Sequence, residues 1–375
     1  MLRDKESSYD WDRHGSPVVD TIAESAGIDD SIATDVQKIL EERHADMEAA
    51  QMGEECEFDS DSHYEEKGPN DIELREGWRY FERSLKTEAR FFNRYAQATL
   101  GKLFDGLAEH ATRDGRRVVV QAGPGEEIAS LHRARVFQAM EPLEEALKRP
   151  DIGLGPPPYS VAGGGRMNAY GISVFYGALE PLVAIGEIRP PVGSRVIVGR
   201  FTLLRPLRLL DVEALKSVFI RGSIFDGAYI GQLERAKFLG RLSGRITRPV
   251  MPSDEPSDYL VTQAIADYLA SEVKLDGIVY PSAQGGGEKK NVVLFHHAAC
   301  VKPLDLPTGT ELTSNTTTDT EDGPEASYWV WEAVPPEKPK PEGAPDPLAI
   351  YDFAIPDIDA EDYDDRKEAL EIDLV

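Results

Sequence analysis

A change of hydrophobic period at Asp114-Gly115 constrains this chain more than any other feature. Upstream, in DIELREGWRYFERSLKTEARFFNRYAQATLGKLFDGLAEHA, the residues Leu74, Trp78, Phe81, Leu85, Ala89, Phe92, Ala96, Leu103 and Leu107 recur every three or four positions. That spacing collects apolar side chains on one face of a helix. One long amphipathic helix is expected there, broken near Gly101, because glycine is a weak helix former. Downstream the runs RRVVVQA, LHRARVF, VFYGAL, RVIVGRFTLL and GIVYPSA are short, β-rich and punctuated by Gly and Pro, while VTQAIADYLASEV reads as one strong helix. A helical segment followed by a mixed one makes the fold class α+β.

Composition divides the rest. Residues 1–30 are rich in Asp, Glu and Ser without a periodic apolar pattern, and are expected to form a mobile arm. From Ser31, the stretch SIATDVQKILEERHADMEAA places Ile32, Val36, Ile39 and Leu40 at helical spacing, so a helical domain is expected over 31–112 and the mixed domain over 113–303. The polar, threonine-rich LPTGTELTSNTTTDTEDGPEAS opens an expected linker, 304–345, in which SYWVWEAV is a candidate strand and PPEKPKPEGAPDP a stiff spacer. Residues 346–375 form an acidic tail: from Asp352 onward there are ten acids against two bases, and solvation is expected to keep it disordered.

Forty-one basic against 67 acidic residues give a net charge of -26, which repels nucleic acid and anionic membranes. Basic residues between Arg200 and Arg248 interleave with apolar ones, as in ordinary helix and loop surface. The N-terminus carries charges where a signal peptide needs an apolar run, and no segment is apolar over a membrane-spanning length. A cytoplasmic protein without nucleic-acid or membrane partners is the expectation. Cys56 and Cys300 form no CxxC pair, and no phosphate-loop motif is present.

The stretch GGGRMNAYGISVFYGALEPLVAIGEIRP, residues 163–190, concentrates the candidate chemistry. Glycines before Arg166 suit a loop whose backbone approaches an anion, and a guanidinium matches phosphate bidentately. Alternation in VFYGAL puts Val174 and Tyr176 on one face and Phe175 on the other. Glu187 follows the apolar PLVAIG, which would seat the carboxylate in a low-dielectric wall. Spacing alone leaves two readings open: a salt bridge between strand ends with a core tyrosine, or a ligand site. Ser282 and Asn291 are likewise either a turn serine and an edge asparagine or contacts to a ribose or phosphate. Lys289 and Lys290 read as a solvated loop face. His296 and His297, adjacent in a strand, would point to opposite faces, and no metal site is expected.

The same stretch resembles the central motif of the RES domain, named for its Arg, Glu and Ser, in which Gly-Arg-x-Asn-x-x-Gly leads to a tyrosine and then a glutamate. LHRARV resembles the family's opening arginine strand, GLGPPP its proline turn, DYLVTQAIADYLASE its helix, and LDGIVYPSAQGGGEKKNVVLF its closing strands, over about residues 125–302. EAAQMGEECEFD, YEEKGP and FERSLKTEARFFNR resemble the helical domain that precedes RES domains in longer members, grouped with the HEPN superfamily. The Arg-x4-6-His pair of HEPN nucleases is missing, so a packing or regulatory role is expected for that part.

The resemblance implies an ADP-ribosyltransferase-like fold and a toxin-type enzyme that degrades NAD as substrate, by hydrolysis or phosphorolysis, with no cofactor. It implies Arg166, Tyr176, Glu187 and Ser282 as catalytic residues, and Arg133, Gly165, Asn168 and Asn291 as binding residues. Inorganic phosphate and an antitoxin or other regulatory protein are the implied partners, in a toxin-antitoxin or defence setting. Transfer of ADP-ribose to a macromolecule is the alternative, because the same carboxylate serves both outcomes.

Overall fold

The computed structural model describes residues 2–4, 15–52, 56–65, 68–223, 226–248, 255–282, 289–320, 323–334 and 370–374. In chain order its elements are β1 (Leu2–Asp4), β2 (Ser16–Pro17), α1 (Val18–Ala26), α2 (Asp30–Arg43), α3 (Met47–Gln51), β3 (His63–Glu65), α4 (Ile72–Thr87) and α5 (Arg94–Phe104). Then follow β4 (Val119–Ala122), β5 (Ser130–Phe137), α6 (Met140–Lys148), α7 (Pro150–Gly153), β6 (Phe175–Ala178), α8 (Pro181–Ile188), β7 (Arg195–Leu203) and β8 (Leu207–Asp211). The last are α9 (Tyr229–Thr247), α10 (Glu255–Ser271), β9 (Gly277–Pro281), β10 (Lys290–Leu294), β11 (Glu311–Thr320), β12 (Gly323–Ala333) and β13 (Leu370–Leu374). Helices and a mixed sheet make the fold α+β.

The chain divides into two compact units, one of Met1–Glu73 with Arg221–Arg235, the other of Leu74–Ile220 with Ala236–Val375. In the first, the antiparallel sheet β1-β3-β2 accompanies α1 and α2. The helix α1 lies inside the stretch expected to be a mobile arm. It buries Val18 and Thr21 and ends at Gly27, whose φ of 63° is a left-handed cap that glycine adopts without strain. On α2 the expected stripe is displaced: Ile32 and Ile39 are exposed, while Ala33 and Gln37 are buried. Gln37 is tolerated inside because its Nε2 donates to the Phe58 carbonyl at 2.6 Å and to Glu41 at 2.8 Å.

The second unit is built on a sheet whose described strands run β13-β7-β5-β6-β10-β9-β8-β4. Consecutive residues of its central strands feed opposite cores. Leu210, Ile278 and Val293 join Trp78, Phe81, Leu103, Leu239 and Ile265 from the helices α4, α5, α9 and α10. Leu209, Val279, Val292 and Leu294 join Leu131, Phe175, Phe201 and Leu143 on the other side. Strands buried on both faces read as continuous apolar runs, which is why VVLF and GIVY lack alternation.

Several expectations change here. The segment DIELREGW…FDGLAEHA is not one helix broken at Gly101. Its break lies between α4 and α5, where Phe92 has φ 57° and Asn93 caps α5 by accepting from the Ala96 amide at 3.0 Å. The stretch expected as a linker carries the antiparallel hairpin β11–β12. Tyr328 and Val330 pack on the second core, and Ser314 Oγ donates to the Glu144 carbonyl at 3.4 Å. A polar threonine run becomes a strand because its partner supplies the apolar face. Of the tail, residues 346–369 lie outside the described residues, and Leu370–Leu374 pair in parallel with β7, Ile372 opposite Phe201.

Trp78 tests the shared core. It is 1 % exposed, with its ring centroid 4.6 Å from Phe81 and 5.6 Å from Phe238. Trp78→Ala is expected to cost about 3–5 kcal/mol. Urea unfolding followed by circular dichroism should show α4 and the sheet lost in one transition at a lower midpoint.

Candidate functional site

The sheet nearly divides in its middle. β5 pairs with β7 over eight residues and β6 pairs with β10 over four, yet β5 and β6 meet at a single described register pair, His132 with Ala178. Around that point lies a cleft of about 170 Å³, lined by His132, Arg133 and Ala134 from β5, Tyr176, Gly177 and Ala178 from β6, and Tyr280 and Asn291 from β9 and β10. Ala184, Glu187 and Ile188 of α8 complete the wall. Alanine at 134, 178 and 184 leaves room that larger side chains would fill. PLVAIGEI is therefore helical, and Glu187 sits on a helix rather than at a strand end. Pro181 occupies the first turn, where its missing N–H has no partner to lose.

Glu187, Ser282 and Asn291 are brought together. Glu187 Oε1 accepts from Ser282 Oγ at 2.6 Å and from Asn291 Nδ2 at 2.7 Å. Both donors are 3 % exposed, whereas Glu187 itself is exposed, so the carboxylate is fixed by buried partners without being sealed in a low-dielectric wall. Among the described residues no cation pairs with Glu187. The salt-bridge reading of this carboxylate finds no partner there.

Arg133 supplies the positive charge of the cleft. Its Nη1 is buried without a hydrogen-bond partner, and its guanidinium lies 5.2 Å from the centroid of the Phe175 ring. Burial pushes its pKa down to about 10, with Arg135 as a further lowering influence, and leaves it charged at neutral pH. A buried cation with an open donor is a receptor for an anion.

The hydroxyl of Tyr176 is committed to the neighbouring loop. It accepts from the Met167 amide at 3.0 Å and donates to Asn168 Oδ1 at 2.9 Å. Burial raises its pKa to about 12, which keeps that proton in place. Asn168, 4 % exposed, then donates through Nδ2 to the carbonyls of Gly163 at 2.9 Å and Ile172 at 2.8 Å. Asn168 thus organises the loop from within, and Tyr176, its hydroxyl bonded to that loop, lines the cleft. Gly165 is required by proximity: a Cβ there would stand 2.7 Å from Asn168 Oδ1 and 2.8 Å from the Tyr176 hydroxyl.

Arg166 turns away from this cleft. Its Nη1 donates to the Ile246 carbonyl at 3.0 Å and to the Arg248 carbonyl, at the end of α9, and its guanidinium lies 5.8 Å from the Tyr259 ring centroid. A cation at a helix C-terminus satisfies open carbonyls and complements the dipole. With Glu82, Asp258 and Tyr259 it lines a second cavity of about 300 Å³. Of the expected site residues the cleft therefore gathers Arg133, Tyr176, Glu187 and Asn291, with Ser282 bonded to Glu187, while Gly165, Arg166 and Asn168 build the adjoining loop.

Sequence reasoning passed over His132, Tyr280 and Gln263. His132 neighbours Arg133 in LHRAR and Tyr280 closes GIVY, so both were visible as polar residues in apolar strands. Gln263 on α10 donates through Nε2 to the carbonyls of Gly165 at 2.8 Å and Asn168 at 2.9 Å, and Thr262 Oγ1 donates to the Arg166 carbonyl. Only the fold brings those partners, nearly a hundred positions apart, together. Two smaller readings change. Lys290 is held by buried Asp211 at 3.1 Å, and His296 and His297 follow β10 with ring centroids 5.2 Å apart. No group of three or more potential metal ligands occurs among the described residues. No helix among them is long and apolar enough to cross a membrane.

Residues 135–311 match the family model of the RES domain, and the chain carries a RES domain over that span. Arg166, Tyr176, Glu187, Ser282 and Asn291 lie inside it, and Arg133 stands two positions before it. A RES domain points to an enzyme that acts on NAD. No curated protein matches the chain.

Two outcomes follow from this geometry. Gly165→Ala should cost roughly 1–3 kcal/mol by forcing the loop off Tyr176, whereas Gly163→Ala, whose Cβ would meet nothing within 4 Å, should leave the thermal midpoint unchanged. His132 is held below its ordinary pKa of 6.5, chiefly by burial. Its stabilising contribution is complete above pH 6.5 and declines as pH falls through the folded-state pKa. Urea midpoints between pH 7.5 and 5 should fall less steeply for His132→Gln than for the unsubstituted chain.

Proposed function

We propose that this RES-domain chain cleaves the bond between nicotinamide and ribose in NAD, releasing nicotinamide and passing the ADP-ribosyl group to water or inorganic phosphate. The observation that carries the reading is the Glu187 carboxylate: it lines the cleft, one oxygen is fixed by Ser282 and Asn291, and the other has no partner among the described residues. Departure of nicotinamide builds positive charge on the ribose. A carboxylate already oriented toward that charge stabilises the transition state without reorganising.

The remaining groups fit parts of the same substrate. Arg133 meets an anionic group, either the pyrophosphate or an incoming phosphate, with its open donor. The aromatic rings of Tyr176 and Tyr280 flank the cleft and suit the flat nicotinamide. Sites for whole drug-sized ligands usually run to about 300–1,000 Å³. At about 170 Å³ the cleft suits the nicotinamide end, with the rest of the dinucleotide across its open rim. The exposure of Glu187 favours a small acceptor that arrives from solvent over a buried protein side chain. Arg166, first assigned to phosphate, is in this reading a positioning residue for the loop that bears on Tyr176.

The test is mass spectrometry of the full chain with NAD, with and without inorganic phosphate. Free nicotinamide with ADP-ribose supports hydrolysis, a phosphorylated ADP-ribose that needs phosphate supports phosphorolysis, and intact NAD under both conditions counts against the reading. ADP-ribose attached to the protein or to an added macromolecule favours the transferase alternative. Glu187→Gln keeps shape and an acceptor for Ser282 and Asn291 but removes the charge. Turnover should fall roughly 100-fold or more while NAD affinity and melting temperature stay near wild type. A folded Glu187→Gln protein that turns over NAD at the original rate would be incompatible with this role.

A further inference from the structure

We infer that Asn291 and Glu187 together read the two hydroxyls of the nicotinamide-side ribose, with Asn291 Oδ1 accepting from the 3′-hydroxyl; this rests on the functional reading above. The orientation of the Asn291 amide follows from its partner. Its nitrogen faces Glu187 Oε1 at 2.7 Å, because an oxygen turned that way would set two acceptors against each other. Oδ1 therefore points elsewhere, and it is buried with no hydrogen-bond partner. Asn291 is 3 % exposed and lines the cleft. An acceptor buried without a donor is costly, so the site is completed by a donor that a ligand brings.

The second open acceptor is the other oxygen of Glu187, for which no partner occurs among the described residues. Two acceptors on side chains bonded to each other fit two donors on neighbouring carbons, the arrangement of a ribose cis-diol. The pyrophosphate linkage offers no donor at neutral pH, and inorganic phosphate, which keeps a P–OH, is repelled by the carboxylate. A carboxamide brings an acceptor oxygen beside its amine, which one of the two sites would reject. The carboxylate has to stand near the anomeric carbon to act on its charge, so it takes the nearer 2′-hydroxyl. The 3′-hydroxyl is left for Asn291. Ser282 takes no part in the pair because its proton is committed to Glu187.

The inference is tested by kcat/KM for nicotinamide release from NAD and from its analogue lacking the 3′-hydroxyl on the nicotinamide ribose. A site built to hydrogen-bond a hydroxyl strongly rejects the analogue without it, so the wild-type chain should lose roughly 10-fold or more on the 3′-deoxy substrate. Asn291→Ala will slow both substrates by loosening Glu187, but the ratio between them should collapse to within about 2-fold. Wild-type turnover of the 3′-deoxy analogue at the NAD rate would overturn the inference while leaving NAD cleavage intact, and this arm needs no variant to fold. An unchanged ratio in folded Asn291→Ala would overturn the assignment to Asn291. Absence of both NAD binding and NAD cleavage would overturn the functional reading beneath it, a distinct result because it appears before any analogue is compared.

Discussion

Everything at the site follows from the near-division of the sheet between β5 and β6. A complete ladder there would bring the strands about 4.8 Å apart along their whole length and close the space that the cleft occupies. Among the described residues β5 and β6 pair only at His132 and Ala178, which joins the two halves of the sheet while Arg133 and Tyr176 stand closely enough that each affects the other's proton affinity. Gly177 sits beside that junction, where a Cβ would stand 2.8 Å from the Phe175 ring and 3.1 Å from the His132 carbonyl. The opening is thus maintained by what the two strands lack as much as by what they share.

Around the opening, polar groups fall into two systems with different duties. The first system consists of the Tyr176 hydroxyl, Asn168, Gly165, Gln263 and Thr262, whose hydrogen bonds run to one another or to backbone groups. Its members are satisfied, and satisfied networks rigidify. The second system, Arg133 Nη1, Asn291 Oδ1 and the outer oxygen of Glu187, retains unfilled bonding capacity. Unfilled buried groups cost free energy in the empty protein. That cost is tolerable where a ligand removes it, which separates a binding wall from the scaffold that carries it.

The division separates Arg166, which serves the scaffold, from Arg133, which lines the cleft. Arg166 follows a glycine triplet and looks like an anion ligand, yet the end of α9 brings carbonyl oxygens to it. Arg133, implied as a binding residue on the opening strand, lies where the strands part and keeps one nitrogen buried without a partner. A guanidinium takes whatever acceptors its surroundings provide. Local sequence names the donor but not the partner.

Much of this protein was legible without coordinates. The period change at Asp114, the helix around VTQAIADYL, the strands LHRARVF and GIVYP and the opposed faces of Phe175 and Tyr176 all follow from spacings of two and of three to four, which depend on neighbours along the chain. The order of Arg, Tyr, Glu, Ser and Asn was sufficient to suggest the RES domain that the match over 135–311 shows. The threonine-rich run became a strand only through SYWVWEA across the hairpin, and the helix break fell at Asn93 because capping there outweighs the modest penalty of Gly101. Which acceptor each arginine meets, that Glu187 is held by residues 95 and 104 positions away, and which oxygen of Asn291 remains open were decided by tertiary structure. Hydrogen-bond partners are set by distances of about 3 Å, and only the folded chain brings residues that remote to within that reach.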